Sequence, residues 1–290
     1  MPYMSNSAFS DYVTNPALIY QGSPSKPSRV PLILIHDGGG THFNYHLLDP
    51  IDRPLWGMEN VRLHKGGWWE GGVPQMAAHY IELLGKVLPY GGDILLGGWS
   101  MGGHLSLEMA HQIALAARKG SSNPGSGTST PRAPKFRVLG MIFIDTVFPR
   151  SLADMRGPLP EDPVVLSAEE SKAMVLKEKV NVNMTHARMM LQFWNLPKWE
   201  NGLEVPPTIL LRAKEAVKTD PSKSFVDYVR DFRLLGWDEY NEQHGSFIKE
   251  IVEVEGNHFS IFDLANLEDV TKKIRDAADK LDTSKPLGWA

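Results

Sequence analysis

The stretch Ile94-Leu95-Leu96-Gly97-Gly98-Trp99-Ser100-Met101-Gly102-Gly103 constrains this chain more than any other. An apolar run enters it, and Gly98 and Gly102 bracket Ser100 in a G-x-S-x-G. Leu105-Ser106-Leu107-Glu108-Met109-Ala110 then leaves it with helix formers. Strand, sharp turn and helix are the setting in which such a pentapeptide pushes a serine hydroxyl out at the carboxyl edge of a sheet. The turn strains the backbone at Ser100, and its neighbours two residues away must lack a Cβ where strand and helix close. At the helix start, developing negative charge lies near free N–H groups and the positive end of the dipole. A glycine-rich connection carrying a chance serine is the bland alternative, and the flanking elements weigh against it.

The rest of the chain repeats the strand–helix alternation. Residues 1–29 read as an arm punctuated by proline, glycine and serine, with a short strand over Ala17–Gln21. Val30–Ile35 is a continuous apolar run, as central parallel strands require, and it ends in His36-Asp37-Gly38-Gly39-Gly40. Val61–His64 is a shorter strand candidate, and Pro74 to Leu88 reads as a helix with Met76, Tyr80, Leu83 and Leu84 on one face. Asp93–Trp99 and Met101–Arg118 are the strand and helix of the turn. Lys119–Pro134 is low-complexity and predicts a flexible surface insertion. Phe136–Ile144 is another buried strand, followed by Asp145. Residues 149–205 hold no strand pattern; Ser167–Lys179 and Met184–Trp194 read as helices of a lid inserted into the core formed by 30–148 and 206–290. Pro207–Arg212 and Phe247–Glu255 are strands, Lys223–Leu235 reads as helical, and Asn266 to Leu281 closes the chain as an amphipathic helix. The expected fold is therefore α/β, a mostly parallel sheet with right-handed crossovers.

Composition narrows the function classes. A formal net charge of −4 gives no electrostatic case for nucleic acid or an anionic membrane. The absence of cysteine excludes disulfides, thiolate-bound zinc and a thiol nucleophile. Met1 to Ser10 carry no secretory signal pattern, and no apolar run approaches the ~18 residues of a membrane span. The expectation is a cytoplasmic protein.

Ligands of open parallel sheets bind beyond the carboxyl ends of the strands. Ser100, Asp145, His258 and the Gly38–Gly40 triplet each follow a different strand, so all converge there. A serine hydroxyl attacks well only when a base takes its proton, and the base needs an acid to fix its tautomer. The order Ser…Asp…His assigns His258 as base and Asp145 as acid, with Glu215 and Asp220 as rival acids. An oxyanion requires preorganised donors. The N–H of Met101 supplies one, and the other is expected from the loop after the first core strand, where Gly38 and Gly39 leave the backbone accessible. His42 and His46, four apart, have the spacing of metal ligands but lack an acidic partner, so no metal is expected. Gly39, Trp69, Met184, Met189, Phe193 and Trp194 are candidates to line a substrate chamber, since methionine-rich surfaces adapt to varied apolar ligands.

IHDGGG at 35–40, GGWSMGGHLSLEMA at 97–110, FIDT at 143–146 and VEGNHFSIF at 254–262 resemble the thioesterases of fungal polyketide and nonribosomal peptide synthetases, within the α/β-hydrolase superfamily. The resemblance runs from about residue 30 to 281. It implies a triad of Ser100, Asp145 and His258, an oxyanion hole at Gly38 and Met101, and a helical lid shaping the product chamber. It also implies an acyl or peptidyl thioester substrate on the phosphopantetheine arm of a carrier protein, with no cofactor of the enzyme's own. A carboxylesterase of small esters and a non-catalytic ligand receptor are the alternative readings of the same fold.

Overall fold

The structure is a computed structural model that describes residues 14–22, 29–121, 136–149, 162–217 and 226–282. Among these, seven strands form one sheet: β1 (Ala17–Gln21), β2 (Leu32–Ile35), β3 (Pro54–Met58), β4 (Gly92–Trp99), β5 (Phe136–Ile144), β6 (Thr208–Ala213) and β7 (Ile248–Val254). Their spatial order is β1-β3-β2-β4-β5-β6-β7. Only β1, on the edge against β3, runs antiparallel; every other pair is parallel. The fold is the expected mostly parallel α/β sheet of the α/β-hydrolase kind.

The uninterrupted apolar runs follow from burial on both faces. Ile33, Ile35, Ile94, Leu96, Met141, Phe143 and Leu210 point into one core with α1 (Gly72–Val87), α2 (Met101–Ser121) and α4 (Leu176–Phe193). Leu32, Leu34, Leu95, Ile142, Ile144, Ile209 and Leu211 point into the other, closed by α6 (Leu267–Leu281). The expected faces are those buried: Met76, Tyr80, Leu83 and Leu84 on α1, and Val270, Ile274, Ala278 and Leu281 on α6, with Leu267 of the expected α6 face only half-buried. Among the described residues no helix is long and apolar enough to cross a membrane.

Three expectations need correction. Val61–His64 is not a strand: Leu63–Lys65 form a 3-10 turn, and the strand of this region is Pro54–Met58. Pro54 and Gly57 disguise it. Proline is tolerated at the first residue of a strand, and a Cβ at Gly57 would stand 2.7 Å from His42 Cδ2 and 2.8 Å from Ile19 Cδ1. The described part of Lys223–Leu235 is a chain of i→i+3 turns, Arg230 to Asp227, Phe232 to Val229 and Leu235 to Phe232. Leu235 and Gly236, both at positive φ, turn it into the short helix α5 (Asp238–Gln243). The helices after residue 165 divide earlier than periodicity suggests. Ser167 and Glu170 cap α3 (Ala168–Ala173), and Glu178 accepts the Val175 N–H at 2.9 Å to start α4. Of the arm, residues 1–13 and 23–28 lie outside the described residues. Of the Lys119–Pro134 insertion, residues 119–121 end α2 and the rest lie outside.

Candidate active site

Ser100 occupies the junction of β4 and α2 with φ at +54°, the left-handed strain a nucleophile elbow demands. Its N–H donates to Ile144 O at 2.9 Å and its carbonyl accepts Gly103 N–H at 3.2 Å, so neighbouring β5 and the helix start hold the turn. The flanking glycines are steric necessities. A Cβ on Gly98 would lie 2.5 Å from Ile35 O and 2.7 Å from Gly102 Cα, and one on Gly102 would collide with the same carbonyl.

Asp145 follows β5, also at positive φ (+44°), with its N–H on Leu211 O at 2.7 Å. Its carboxylate is fully buried and densely bonded. Oδ1 accepts the Ala213 N–H at 2.8 Å and Arg230 Nη1 at 2.7 Å; Oδ2 accepts Arg230 Nη2 at 2.7 Å and meets His258 Nδ1 at 2.8 Å. Burial alone would raise its pKa, but the Arg230 fork and His258 outweigh it and hold the carboxyl far below the usual range. Of the rival acids, Glu215 donates its N–H to Gly256 O, and Asp220 lies outside the described residues. The carboxylate that His258 Nδ1 meets is Asp145's.

His258 follows β7 in a turn made by Gly256 at φ +86° and by Asn257, whose side chain accepts the Phe259 N–H at 3.0 Å. The ring is buried between Trp99 and Phe259, at centroid distances of 5.6 and 5.0 Å. With Nδ1 carrying the proton toward Asp145, Nε2 is left basic.

The Gly38–Gly40 loop leaves β2 in a tight turn: Gly40 N–H donates to Asp37 O at 3.1 Å and Gly39 N–H to Asp37 Oδ1 at 3.0 Å. Gly38 N–H has no partner among the described residues. Met101 is the first residue of α2, where N–H groups lack an intrahelical acceptor. Between the loop and the elbow, the Tyr45 hydroxyl donates to Ile35 O at 2.7 Å and accepts Trp99 N–H at 2.9 Å. It continues the β2–β4 ladder just where the two strands part.

The six chamber candidates divide into two groups. Met184 covers the glycine loop. A Cβ at Gly38 would stand 3.0 Å from Met184 Sδ and 3.3 Å from Ala187 Cβ, and one at Gly39 would stand 3.0 Å from Val180 Cγ1. Trp69, Met189, Phe193 and Trp194 instead line a cavity of about 480 Å³ between α4 and the start of α1, whose walls include none of Ser100, Asp145 or His258. Trp69 Nε1 is bonded to Asn60 and Trp194 Nε1 to Glu108, while Phe193 is 72% exposed. His42 faces Glu59, with Nδ1 3.3 Å from Oε2. Among the described residues no group of three or more His, Cys, Asp or Glu is placed to hold a metal ion.

Arg230, Tyr45 and Asn183 escaped the sequence reading. Asn183, on α4, is buried and accepts Asn60 Nδ2 at 2.9 Å while donating to Lys179 O at 2.8 Å and Leu63 O at 3.4 Å. Its one legible signal is an asparagine among apolar residues on the buried face of a helix.

No protein-family model matches the chain. It is 38% identical over 271 residues to a thioesterase, frbE, of Dothideomycetidae sp. (strain 11243), spanning 92% of this chain and 96% of that one. It is 31% identical to a nonribosomal peptide synthetase, imqB, of Aspergillus flavus, over 94% of this chain and 8% of that one. Among solved structures it resembles the NocB thioesterase domain in covalent complex with a fluorophosphonate nocardicin G analogue. The TM-score is 0.56 at 22% identity, over 86% of this chain and 94% of that one, a likeness of fold.

Proposed function

This chain belongs to the fungal thioesterases and is a hydrolase, and from that premise we propose that it is a serine thioesterase releasing an acyl, polyketide or peptidyl chain from a carrier-protein thioester. The single observation that supports this most is Asp145 on His258 Nδ1, at the same sheet edge as a serine strained to positive φ. His258 Nε2 takes the Ser100 proton as Oγ attacks the thioester carbonyl. The N–H groups of Gly38 and Met101 receive the oxyanion. Collapse expels the phosphopantetheine thiol, which leaves with the proton His258 returns to it, and an acyl-Ser100 ester remains. Water, or a hydroxyl or amine of the acyl chain itself, then attacks that ester with His258 again as base. The enzyme needs no cofactor of its own for these steps; the carrier's arm brings the reactive sulfur.

Asp145 keeps the imidazole in the productive tautomer and stabilises the imidazolium. Its own charge is secured by Arg230. The match to a short portion of a synthetase favours a carrier protein as the source of substrate. Intact-protein mass spectrometry with acyl-N-acetylcysteamine thioesters and matching oxygen esters tests the reading. An acyl adduct from thioesters, absent in Ser100→Ala, is expected, and the product mass separates hydrolysis from cyclisation. Adducts from oxygen esters alone would replace the proposal with a carboxylesterase.

A further inference from the structure

Three consecutive glycines give the loop after β2 three N–H groups and little intrinsic preference among their orientations. The residue before them is an aspartate, the side chain best suited to bond a backbone N–H two positions on. That bond is made: Asp37 Oδ1 accepts Gly39 N–H at 3.0 Å, while the Asp37 carbonyl accepts Gly40 N–H at 3.1 Å. Two of the three donors are thereby consumed inside the turn, and the third, Gly38 N–H, has no partner among the described residues. Met184 and Ala187 lie against Gly38 and Val180 against Gly39, so α4 covers the loop.

We propose that Asp37 is a positioning residue for thioester cleavage: by occupying Gly39 N–H it leaves Gly38 N–H as the one donor of this turn aimed at the acyl oxygen. The inference rests on the serine mechanism above and goes a step beyond it. The carboxyl is held there at a cost, since burial pushes its pKa up to about 6 against the opposing pull of Gly39 N–H and of nearby His258. An alanine would avoid that burden and could not fix the turn.

The test compares wild type, Asp37→Ala and Asp37→Asn in kcat and KM on an acyl-N-acetylcysteamine thioester and in the rate of phosphonylation by a fluorophosphonate. Loss of one oxyanion donor costs on the order of 100- to 1000-fold. Mis-aiming one is therefore expected to slow Asp37→Ala at least about tenfold in both rates, with KM within about twofold. Asp37→Asn keeps an oxygen for Gly39 N–H and should recover most of the rate. Asp37→Ala at wild-type rate, or Asp37→Asn as slow as Asp37→Ala, overturns the proposal. Amide hydrogen exchange on the wild-type protein needs no variant to fold: Gly39 protected with Gly38 open supports the assignment, and the reverse pattern overturns it. A wild-type protein that the fluorophosphonate leaves unmodified would instead overturn the serine reading, whatever exchange shows for the turn.

Discussion

Arg230 grips Asp145 through two parallel hydrogen bonds of 2.7 Å, from Nη1 to Oδ1 and from Nη2 to Oδ2, across 85 residues of chain. A planar fork matched to a carboxylate is the strongest such pairing a protein makes. It lets a fully buried acid stay ionised beside His258. Removing one partner of a buried ion pair typically costs about 3–5 kcal/mol, because the other charge is stranded.

Arg230→Met is therefore expected to lower Tm by several degrees at pH 7 and kcat/KM at least about tenfold. The depressed Asp145 pKa sets the pH dependence. Its stabilising contribution is present above the unfolded-state value of 3.8 and is lost only as pH falls toward the depressed folded value. Without Arg230 the carboxyl titrates higher, so the gap in Tm should be widest near neutrality and narrow below about pH 4. Calorimetric scans across pH measure it, and a gap independent of pH would show that the pair carries no linked protonation.

Gly98→Ala and Gly102→Ala test the elbow. Each methyl would drive into Ile35 O, a backbone atom of a central strand that cannot swing aside. Overpacking of this kind costs roughly 1–3 kcal/mol or more. Either variant should melt several degrees lower and react with fluorophosphonate far more slowly. Unchanged labelling would mean that Ser100 does not depend on the strained turn.

Tyr45→Phe removes a single oxygen but orphans two buried groups, Ile35 C=O and Trp99 N–H. Each orphan costs about 1–3 kcal/mol. Because the two groups lie on the strands that carry the glycine loop and Ser100, the loss should also separate the N–H groups proposed as oxyanion donors. The expected result is a kcat deficit that persists at temperatures where the variant is fully folded, read by steady-state kinetics below its own Tm.

Asn183→Leu should loosen α4 from the glycine loop. The substitution keeps the branched shape in a bulkier side chain but leaves Asn60 Nδ2 without its acceptor on α4. A loss of about 1–3 kcal/mol is expected, with faster limited proteolysis near α4 and a raised KM as Met184 and Val180 leave Gly38 and Gly39. Proteolysis at the wild-type rate would show that the asparagine pair does not fasten this helix.

The sheet was legible because central parallel strands must be apolar on both faces, and β2, β4 and β5 say so residue by residue. The placement of Ser100 and His258 in turns at the carboxyl ends of strands was legible from the residues around them. β3 was not, since Pro54 and Gly57 imitate a loop for reasons visible only in the packing of His42 and Ile19. Arg230 was hidden for a different reason. Its value lies in a partner 85 residues away, in a run of turns whose composition resembles a helix. The glycine triplet announced an accessible backbone, but which N–H was left unbonded depended on where the Asp37 side chain turned. Long-range polar pairing leaves no periodic trace in sequence, whereas burial does.

Asp37 gives the last prediction, one of stability. Its pKa rises from 3.8 in the unfolded chain to about 6 in the fold, with burial the largest cause. The groups facing it are Gly39 N–H, His258 and, by charge repulsion if ionised, the Tyr45 hydroxyl. Between those two pH values the native state binds more protons than the unfolded state, so stability falls as pH rises, by up to about 1.4 kcal/mol per unit. Asparagine makes the same turn and does not titrate. The Tm of Asp37→Asn relative to wild type should climb from about pH 4 to about pH 6.5 and then level off. The ceiling is on the order of 3 kcal/mol at neutral pH. A difference that stays constant from pH 4 to pH 8 would mean that the carboxyl titrates as it does in water, and that its burial in the turn exacts nothing. A climbing difference would mean that the wild-type chain sacrifices stability at its glycine loop for an acceptor that also carries charge, the trade-off expected of a functional site.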